Sequence, residues 1–415
     1  MKHLTKRAVS LLLACVLTLS LCLTALPQAK AAGTTVKLLP DQASPFNGGK
    51  FQGWGTSLCW WANRVGYDPT LTKLTADAFF SEEGLGLDIA RYNVGGGDDP
   101  GHNHIKRSDS NMPGFWESFT LNGQDLTITY DTDLSKDRNQ LTVAKAALEA
   151  NPKLYFEAFS NSAPYFMTVS GCTGGNSDAS VDNLRGDMYD DFAAYIAESV
   201  KLLRAHGINV QSYSPMNEPD TSYWQANSEK QEGCHFSPGT SQSRMIVATR
   251  NALDAAGLAD VLVAGMDESS IDTSVANLDK LTPEAKNALG RIDTHTYGGS
   301  DREGLKNKAL SLQKNLWMSE VDGDFKSGSG AMEGALGFAK HLIDDMNWMQ
   351  PAAWVLWNAV DVHMDSTTGE EGWQWFNPTS GTWGLALADH DKKELLLSQK
   401  YYGFGQFTKY INPGD

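Results

Sequence analysis

Eight short apolar runs, separated by segments with helical spacing, are the feature that most constrains the fold of this 415-residue chain. Each run has the length of a buried β-strand, and each is followed by a segment whose apolar residues recur every three or four positions. Such alternation is typical of a parallel α/β sheet. The predicted strands are Phe51–Trp61, Asp88–Gly95, Lys153–Ser162, Val210–Pro215, Val261–Met266, Arg291–Tyr297, Leu316–Val321 and Ala352–Ala359.

The clearest amphipathic helix is predicted over Asp187–His206, whose apolar side chains share one face. Eight strand–helix units in about 350 residues predict a (β/α)8 TIM barrel. An open doubly wound sheet is the alternative, but it would prefer a glycine-rich turn after its first strand, whereas Gly53–Ser57 lies inside that strand. The other predicted helices are Leu71–Ser81, Gln140–Ala150, Ser241–Ala256, Val275–Leu289, Arg302–Gln313, Met332–Trp348 and Lys393–Phe404.

The amino terminus has the pattern of an export signal. Basic residues precede an apolar run from Ala8 to Ala25, and Ala29-Lys30-Ala31 has the small residues of a signal-peptidase site. We therefore predict a signal peptide over residues 1–31 and a secreted, extracellular protein that leaves the membrane after cleavage. An uncleaved membrane anchor is the alternative.

The charge balance restricts the partners. The chain has 34 basic and 50 acidic residues, a net charge of −16, which argues against binding to nucleic acid or to an anionic membrane surface. His102 and His104 have a spacing seen in metal sites, but no other metal signature accompanies them. We expect no metal, no cofactor and a monomer.

Polar and aromatic residues concentrate where the predicted strands end. In a barrel all these ends lie on one face, and that face carries the chemistry of such enzymes. The residues concerned are Trp60 and Trp61 after the first strand, Asn161 after the third, Asn217 and Glu218 after the fourth, His295 and Tyr297 on the sixth, Glu320 on the seventh and Trp357 on the eighth.

Two glutamates on this face predict the chemistry. Glu218 lies before Pro219, which restricts its backbone, and Glu320 lies in an apolar strand, where an unpaired charge is costly. Opposed carboxylates suit the cleavage of a glycosidic bond, because one protonates the leaving oxygen while the other attacks or stabilises the anomeric carbon. We predict Glu218 as the acid/base and Glu320 as the nucleophile.

Four motifs follow one another along the chain: Gly53–Trp61, Arg91–Pro100, Asn217–Pro219 and Ser319–Glu320. Together they resemble glycoside hydrolase family 30, of the retaining clan A, and the resemblance extends from about Phe51 to Tyr410. Four segments, Cys59–Trp61, Gly95–Pro100, Phe159–Tyr165 and Gln231–His235, are most similar to the endo-β-1,6-galactanases of that family. The resemblance implies hydrolysis with retention through a covalent glycosyl-enzyme, with the same roles for the two glutamates.

The resemblance also implies roles for single residues. Arg91 would brace the nucleophile, Asp98 would bind sugar hydroxyls and Asn217 would bond the 2-hydroxyl. His295 and Tyr297 would lie in the pocket, with Tyr297 bonded to the nucleophile. A structural ion pair for Arg91, a surface acid for Asp98 and a core histidine for His295 are the alternatives.

Aromatic and amide residues would complete the predicted cleft. Trp357 would be a platform for a pyranose ring, and Trp60, Trp61 and Trp224 could extend it, although large aromatics are more often core residues. Asn161 stands where glucoside-cleaving branches of the family have a tryptophan. Its amide could meet the axial hydroxyl of galactose.

Three cysteines remain after signal cleavage. Cys172 and Cys234 lie in loops after the third and fourth strands, which are neighbours in a barrel, so they are the candidate disulfide pair. Cys59 would then be a buried thiol.

Family members carry a β-sandwich beside the barrel, and this chain is too short to hold most of it. We expect residues 32–50 to be an N-terminal segment that could supply one sandwich strand, residues 51–411 to form the catalytic barrel, and residues 412–415 to be the truncated start of the side domain. The predicted function is hydrolysis of β-1,6-galactan. The alternatives are a β-1,6-glucanase or xylanase of the same family, or a carbohydrate-binding protein without turnover.

Overall fold

The computed structural model of the chain describes residues 43–99, 101, 105, 110–228, 230–323, 332–367, 370–371 and 383–415. The predicted signal peptide, His102 and His104 lie outside these ranges. No helix in the described part of the chain is long and apolar enough to cross a membrane.

A closed parallel barrel forms the centre of the described structure. Its strands follow the order β1-β10-β9-β8-β7-β6-β5-β2, which confirms the predicted (β/α)8 barrel and all eight predicted strands. The strands are β1 (Gly53–Ser57), β2 (Ile89–Asn93), β3 (Trp116–Asn122), β4 (Asp125–Tyr130), β5 (Tyr155–Phe159), β6 (Val210–Ser214), β7 (Leu262–Ser270), β8 (Arg291–Gly298), β9 (Asn315–Glu320), β10 (Ala353–Leu356), β11 (Val360–Asp365), β12 (Glu370–Glu371), β13 (Ala386–Asp389) and β14 (Glu394–Leu397).

Helices cover the outside of the barrel, so strands such as β10 are buried at every position and read as continuous apolar runs. The α-helices are α1 (Trp61–Val65), α2 (Pro69–Phe80), α3 (Arg138–Ala150), α4 (Tyr189–Ala205), α5 (Thr240–Ala255), α6 (Ile271–Lys280), α7 (Pro283–Ala288), α8 (Arg302–Ser311), α9 (Met332–Asp344) and α10 (Gln399–Thr408).

Two predicted helices differ from the observed ones. The segment Val275–Leu289 contains α6 and α7, because Pro283 starts a new helix whose first turn is capped by the Thr282 hydroxyl. The segment Lys393–Phe404 begins as β14, which pairs antiparallel with β13, and α10 starts only at Gln399.

Two small sheets lie in the connections that follow β2 and β10. The first is the β3–β4 hairpin, and the second has the order β12-β11-β13-β14. At the other end of the chain, Phe51 exchanges backbone hydrogen bonds of 2.8 Å with Gly414 and Asp415. The last two residues therefore pair with the segment that leads into β1.

Strand register determines which side chains meet inside the barrel. Arg91 on β2 pairs with Glu157 on β5, and His295 on β8 pairs with Glu320 on β9. Because all eight barrel strands run in parallel, the carboxyl ends of β6, β8 and β9 open on the same face.

Candidate active site

A cleft of about 790 Å³ lies at the carboxyl ends of the barrel strands. Its wall combines aromatic rings with carboxylates, a lining suited to the apolar and hydroxyl faces of a sugar. The aromatic lining residues are Trp60, Tyr223, Tyr297, Trp357 and Trp383, and the acidic ones are Glu218, Glu320 and Asp322.

Glu218 enters the cleft from the turn after β6. Its backbone has a φ of 48°, and its N–H donates to the carbonyl oxygen of Asp267 at 2.7 Å. Its Oε2 accepts a hydrogen bond from the Tyr223 hydroxyl, and its Oε1 lies 3.2 Å from Nδ1 of His295. Backbone and side chain are therefore both held, with 7% of the residue exposed.

Glu320 is the last residue of β9 and is 4% exposed. Arg91 donates from Nη1 to Oε2 at 3.0 Å, and the Tyr297 hydroxyl donates to Oε1 at 3.1 Å. Oε1 also lies 3.5 Å from Nδ1 of His295. Arg91 and Tyr297 therefore contact the carboxylate that the sequence analysis expected them to contact.

One carboxylate oxygen of Glu218, one of Glu320 and a ring nitrogen of His295 all lie within 4.8 Å of one another. Three such groups could in principle hold a cation. Burial alone would lower the pKa of His295, but the carboxylates of Glu320, Asp267 and Glu218 raise it to about 10. A protonated imidazole has no lone pair, so in this charge state His295 is a hydrogen-bond donor and not a ligand.

The charge of Glu320 is also affected by its surroundings. Burial raises the pKa of this carboxyl group to about 7, while His295 and Arg91 oppose the shift. The cleft thus contains a carboxyl group that changes its charge near neutral pH.

A fully buried network supports these residues from below. The Arg91 guanidinium donates to Glu157 Oε1 at 2.9 Å and to Asp267 Oδ2 at 2.9 Å, in addition to its bond with Glu320. Its face lies over the Phe159 ring at 4.2 Å. Arg91 therefore has a fixed orientation and links three carboxylates.

Two contact residues were missed by the sequence analysis. Asp267 directly follows the predicted strand Val261–Met266, so the rule that strand ends carry function would have selected it. Tyr223 lies in the loop five residues after Glu218, and no motif or periodicity marks it.

Asn217 and Asn161 are 2% and 1% exposed. The Nδ2 of Asn161 lies 3.9 Å from the Cys59 sulfur. Neither Oδ1 atom has a hydrogen-bond partner within the described residues, so each amide has an oxygen that could accept a bond.

Two of the predicted tryptophans lie in the cleft. Trp60 and Trp357 both line it, with ring centroids 5.0 Å apart and planes at 83°. The prediction for Trp61 is wrong, because this residue is 1% exposed and packs on Phe79 in the core. Trp224 is also fully buried.

Asp98 does not line the same cavity as the two glutamates. It belongs to a second cavity of about 640 Å³, whose wall includes Trp116 and Tyr165. Its carboxylate accepts backbone hydrogen bonds from Asp99 at 3.0 Å and Ile105 at 3.2 Å. Asp98 therefore lines a different cavity from Glu218 and Glu320.

The predicted disulfide is not formed, since Cys172 and Cys234 are both free thiols, as is Cys59. Each sulfur of the expected pair has a local partner instead. The Gly174 N–H lies 3.2 Å from the Cys172 sulfur, and the Cys234 sulfur lies 3.7 Å from the carbonyl oxygen of His235. Neighbouring loops thus carry the two cysteines without joining them.

Comparisons with known proteins identify a matching family and two relatives of this chain. Residues 48–269 match the model of a family described as O-Glycosyl hydrolase family 30. An endo-β-1,6-galactanase from Hypocrea rufa is 30% identical over 417 residues, covering 95% of this chain and 78% of that protein. An exo-β-1,6-galactobiohydrolase from Bifidobacterium longum is 27% identical over 453 residues, covering 86% of this chain and 29% of that protein.

Among solved structures, SrfJ from Salmonella typhimurium superimposes with a TM-score of 0.71 at 19% identity. The match covers 93% of this chain and 79% of that one. This similarity concerns the fold.

Proposed function

The chain belongs to glycoside hydrolase family 30, and from that membership we propose that it is a secreted, retaining endo-glycosidase that hydrolyses β-1,6-galactan. Glu218 is the acid/base and Glu320 the nucleophile of this proposal. The amino-terminal pattern of basic and apolar residues over 1–31 supports export.

The observation that carries the proposal is the short distance between the two carboxylates. One carboxylate oxygen of Glu218 lies within 4.8 Å of one carboxylate oxygen of Glu320. In retaining glycosidases the carboxyl groups are about 5–5.5 Å apart, whereas inverting enzymes leave about 6.5–9.5 Å for a water molecule. The short separation supports direct attack by a carboxylate.

In the first half-reaction, an oxygen of Glu320 bonds to the anomeric carbon as the bond to the glycosidic oxygen breaks. Glu218 gives its proton to that leaving oxygen, and Tyr223 holds the carboxyl group that gives it. Arg91 and Tyr297 bond the attacking carboxylate and fix its direction. The product is a glycosyl-enzyme ester and a shortened chain.

In the second half-reaction, the ionised Glu218 takes a proton from water as that water attacks the anomeric carbon. The ester bond to Glu320 breaks, and the sugar leaves with its original anomeric configuration. The His295 imidazolium faces both carboxylates, at 3.2 Å from Glu218 and 3.5 Å from Glu320. Its positive charge stabilises the negative charge, which lies on Glu320 before the reaction and on Glu218 in the glycosyl-enzyme.

The choice of substrate is supported by the names of the two curated relatives, both of which specify a β-1,6-galactan activity. Trp60 and Trp357 supply apolar faces on which pyranose rings can stack. We propose a neutral polysaccharide as the partner of a monomeric enzyme without cofactor.

Incubation of the protein with β-1,6-galactan, β-1,6-glucan and glucuronoxylan tests the substrate choice. We expect oligosaccharides of several lengths from galactan alone. Exclusive release of disaccharide would favour the exo activity named for the Bifidobacterium longum relative. Products from only the glucan or the xylan would overturn the galactan proposal.

A carbohydrate-binding protein without turnover is the alternative from another class. Burial of charge is costly, and a binding protein has no need for two opposed carboxylates that are 7% and 4% exposed. Binding of galactan with no product after long incubation would favour that alternative.

A further inference from the structure

The Asp267 carboxylate lies where several parts of the candidate site meet, beneath the cleft and fully buried. Its Oδ2 accepts from Arg91 at 2.9 Å and from the Ser214 hydroxyl, and its Oδ1 accepts from the Ser319 hydroxyl. Oδ1 also lies 3.5 Å from Nε2 of His295. Each oxygen therefore faces two groups, and the four groups come from four different barrel strands, β2, β6, β8 and β9.

The backbone of Asp267 has a second role. Its φ of 55° is rare for a residue other than glycine, and this turn aims its carbonyl oxygen at the N–H of Glu218, 2.7 Å away. The same residue thus contacts the acid/base through its main chain and the supports of Glu320 through its side chain.

The charge of His295 depends on this arrangement. A neutral imidazole carries one N–H and can donate to a single acceptor, but here both ring nitrogens face carboxylates. Nδ1 faces Glu218 and Glu320, while Nε2 faces Asp267. Removing the charge of Asp267 would leave Nε2 without an anionic partner and favour the neutral ring.

Other charged groups act on Asp267 from each strand packed against it. Arg91 and His295 are the cations, and Glu320 and Asp293 are the neighbouring acids. Burial would raise the pKa of Asp267, but Arg91 and His295 hold it below its ordinary value. The carboxylate is therefore ionised throughout the pH range in which a glycosidase works.

We propose that Asp267 is a positioning residue for the reaction: its carboxylate keeps His295 protonated and Arg91 directed at Glu320, and its carbonyl holds Glu218. This inference rests on the proposed function, since it assigns Asp267 a role in the same double displacement. It goes beyond that function by naming the group that couples the two catalytic carboxylates.

The test replaces the carboxylate by the isosteric amide in Asp267→Asn. We expect kcat on the hydrolysed polysaccharide to fall about 100-fold with little change in KM, because the loss concerns orientation and charge during reaction. Loss of the His295 charge raises the pKa of Glu320 by more than loss of the Asp267 charge lowers it, so the acidic limb of the kcat/KM profile should also move toward alkaline pH by about one pH unit.

Asp345→Asn is the matched control. Asp345 is also a buried carboxylate, bound by Arg302 at 2.8 Å and Trp354 at 3.0 Å, but it lies outside the cleft lining. A merely structural effect of burying an amide would appear in this variant as well. We expect its pH profile to coincide with that of the wild type.

A measurement without turnover separates this inference from the proposed function. In ¹⁵N-labelled protein, the His295 ring should be protonated at pH 8 in the wild type and neutral in Asp267→Asn. If the wild type hydrolyses no glycan, the proposed function fails, and the histidine spectrum still decides whether Asp267 sets the charge of His295.

A folded Asp267→Asn with kcat within threefold of wild type, an unshifted pH profile and a protonated His295 would overturn the proposal. If that variant does not fold, Ser214→Ala combined with Ser319→Ala removes two donors that orient the carboxylate while keeping its charge. A fall in kcat of about 10-fold at constant KM would support the proposal, and unchanged kcat would contradict it.

Discussion

Arg291, at the amino end of β8, lies between Asp293 and Glu157, whereas Arg91 extends from Glu157 toward Asp267 and Glu320. These contacts define two regions inside the barrel. We call Glu157, Arg291 and Asp293 the lower cluster, and Glu218, Asp267, His295 and Glu320 the upper cluster.

The lower cluster is closed. Arg291 bonds both oxygens of Asp293, at 2.6 and 2.8 Å, and lies 3.5 Å from the Trp317 ring. The Ser212 hydroxyl and the guanidinium of Arg91 occupy the remaining acceptor sites of Glu157. These ion pairs belong to the folded structure, because breaking one of them would leave a buried charge without its partner.

The upper cluster contains more carboxylates than it has cations. Three acids share His295 and one guanidinium group, and Glu218 and Glu320 are slightly exposed to the cleft, whereas the lower cluster is sealed. Similar residue types therefore support stability in one region and permit chemistry in the other. Contact with the cleft makes the difference.

The largest effect is expected for Glu320→Ala, which removes the nucleophile from the upper cluster. Hydrolysis should fall about 10⁴-fold or more, and azide should restore turnover with an α-glycosyl azide as product, because the small anion replaces the lost carboxylate and attacks once, with inversion. Glu333→Ala, at an exposed acid on α9, is the control and should keep full activity. Undiminished hydrolysis by Glu320→Ala would refute the assignment.

Arg291→Met should instead destabilise the fold. The variant leaves Glu157 and Asp293 buried without their main counter-charge, so the free energy of unfolding should fall by about 3–5 kcal/mol in urea denaturation. Lys73→Met, which breaks an ion pair between two exposed side chains, Lys73 and Asp77, should lower it by about 1 kcal/mol or less. Equal effects of the two substitutions would remove the distinction between a closed cluster and a surface pair.

The pH dependence of activity should report the titration of Glu320 in the upper cluster. The attacking carboxylate must be ionised, and burial raises the pKa of Glu320 to about 7. Below pH 7, kcat/KM should therefore decrease about 10-fold per pH unit as the proton binds. An acidic limb near pH 4 in the profile of the free enzyme would show that Glu320 titrates like an exposed glutamate.

The smallest effect is expected for Tyr223→Phe, which removes one hydrogen bond to Glu218 and leaves the ring in place. Kinetics should show kcat lowered about 10-fold, since a hydrogen bond to a charged group is lost. Tyr402→Phe, at an exposed tyrosine on α10, is the matched control. A fall no larger than in the control would show that Tyr223 does not orient the acid/base.

The sequence predicted the barrel because its strands are buried on both faces and leave uninterrupted apolar runs. It also predicted the contacts of Glu320 with Arg91 and Tyr297, since strand order and family resemblance place these side chains on one face. It failed where two neighbouring aromatic residues point in opposite directions. Trp60 enters the cleft and Trp61 enters the core, and periodicity cannot separate them at the start of a helix.

Loop geometry accounts for the other differences. Cys172 and Cys234 lie on adjacent loops, as predicted, but adjacency of loops does not bring two sulfur atoms together. Asp98 follows β2 as expected, yet its carboxylate is bound by backbone N–H groups beside a second cavity. The role of Asp267 depends on a left-handed turn, which strand and helix patterns do not encode.

Trapping of the covalent intermediate tests the central claim most directly. A 2-deoxy-2-fluoro-β-galactoside with a good leaving group slows breakdown of the glycosyl-enzyme, so mass spectrometry of the digested protein can locate the sugar. We expect one fluorogalactosyl group on the peptide that contains Glu320, and no label in Glu320→Ala. A label on any other residue, or release of the first product with inverted configuration, would contradict a double displacement through Glu320.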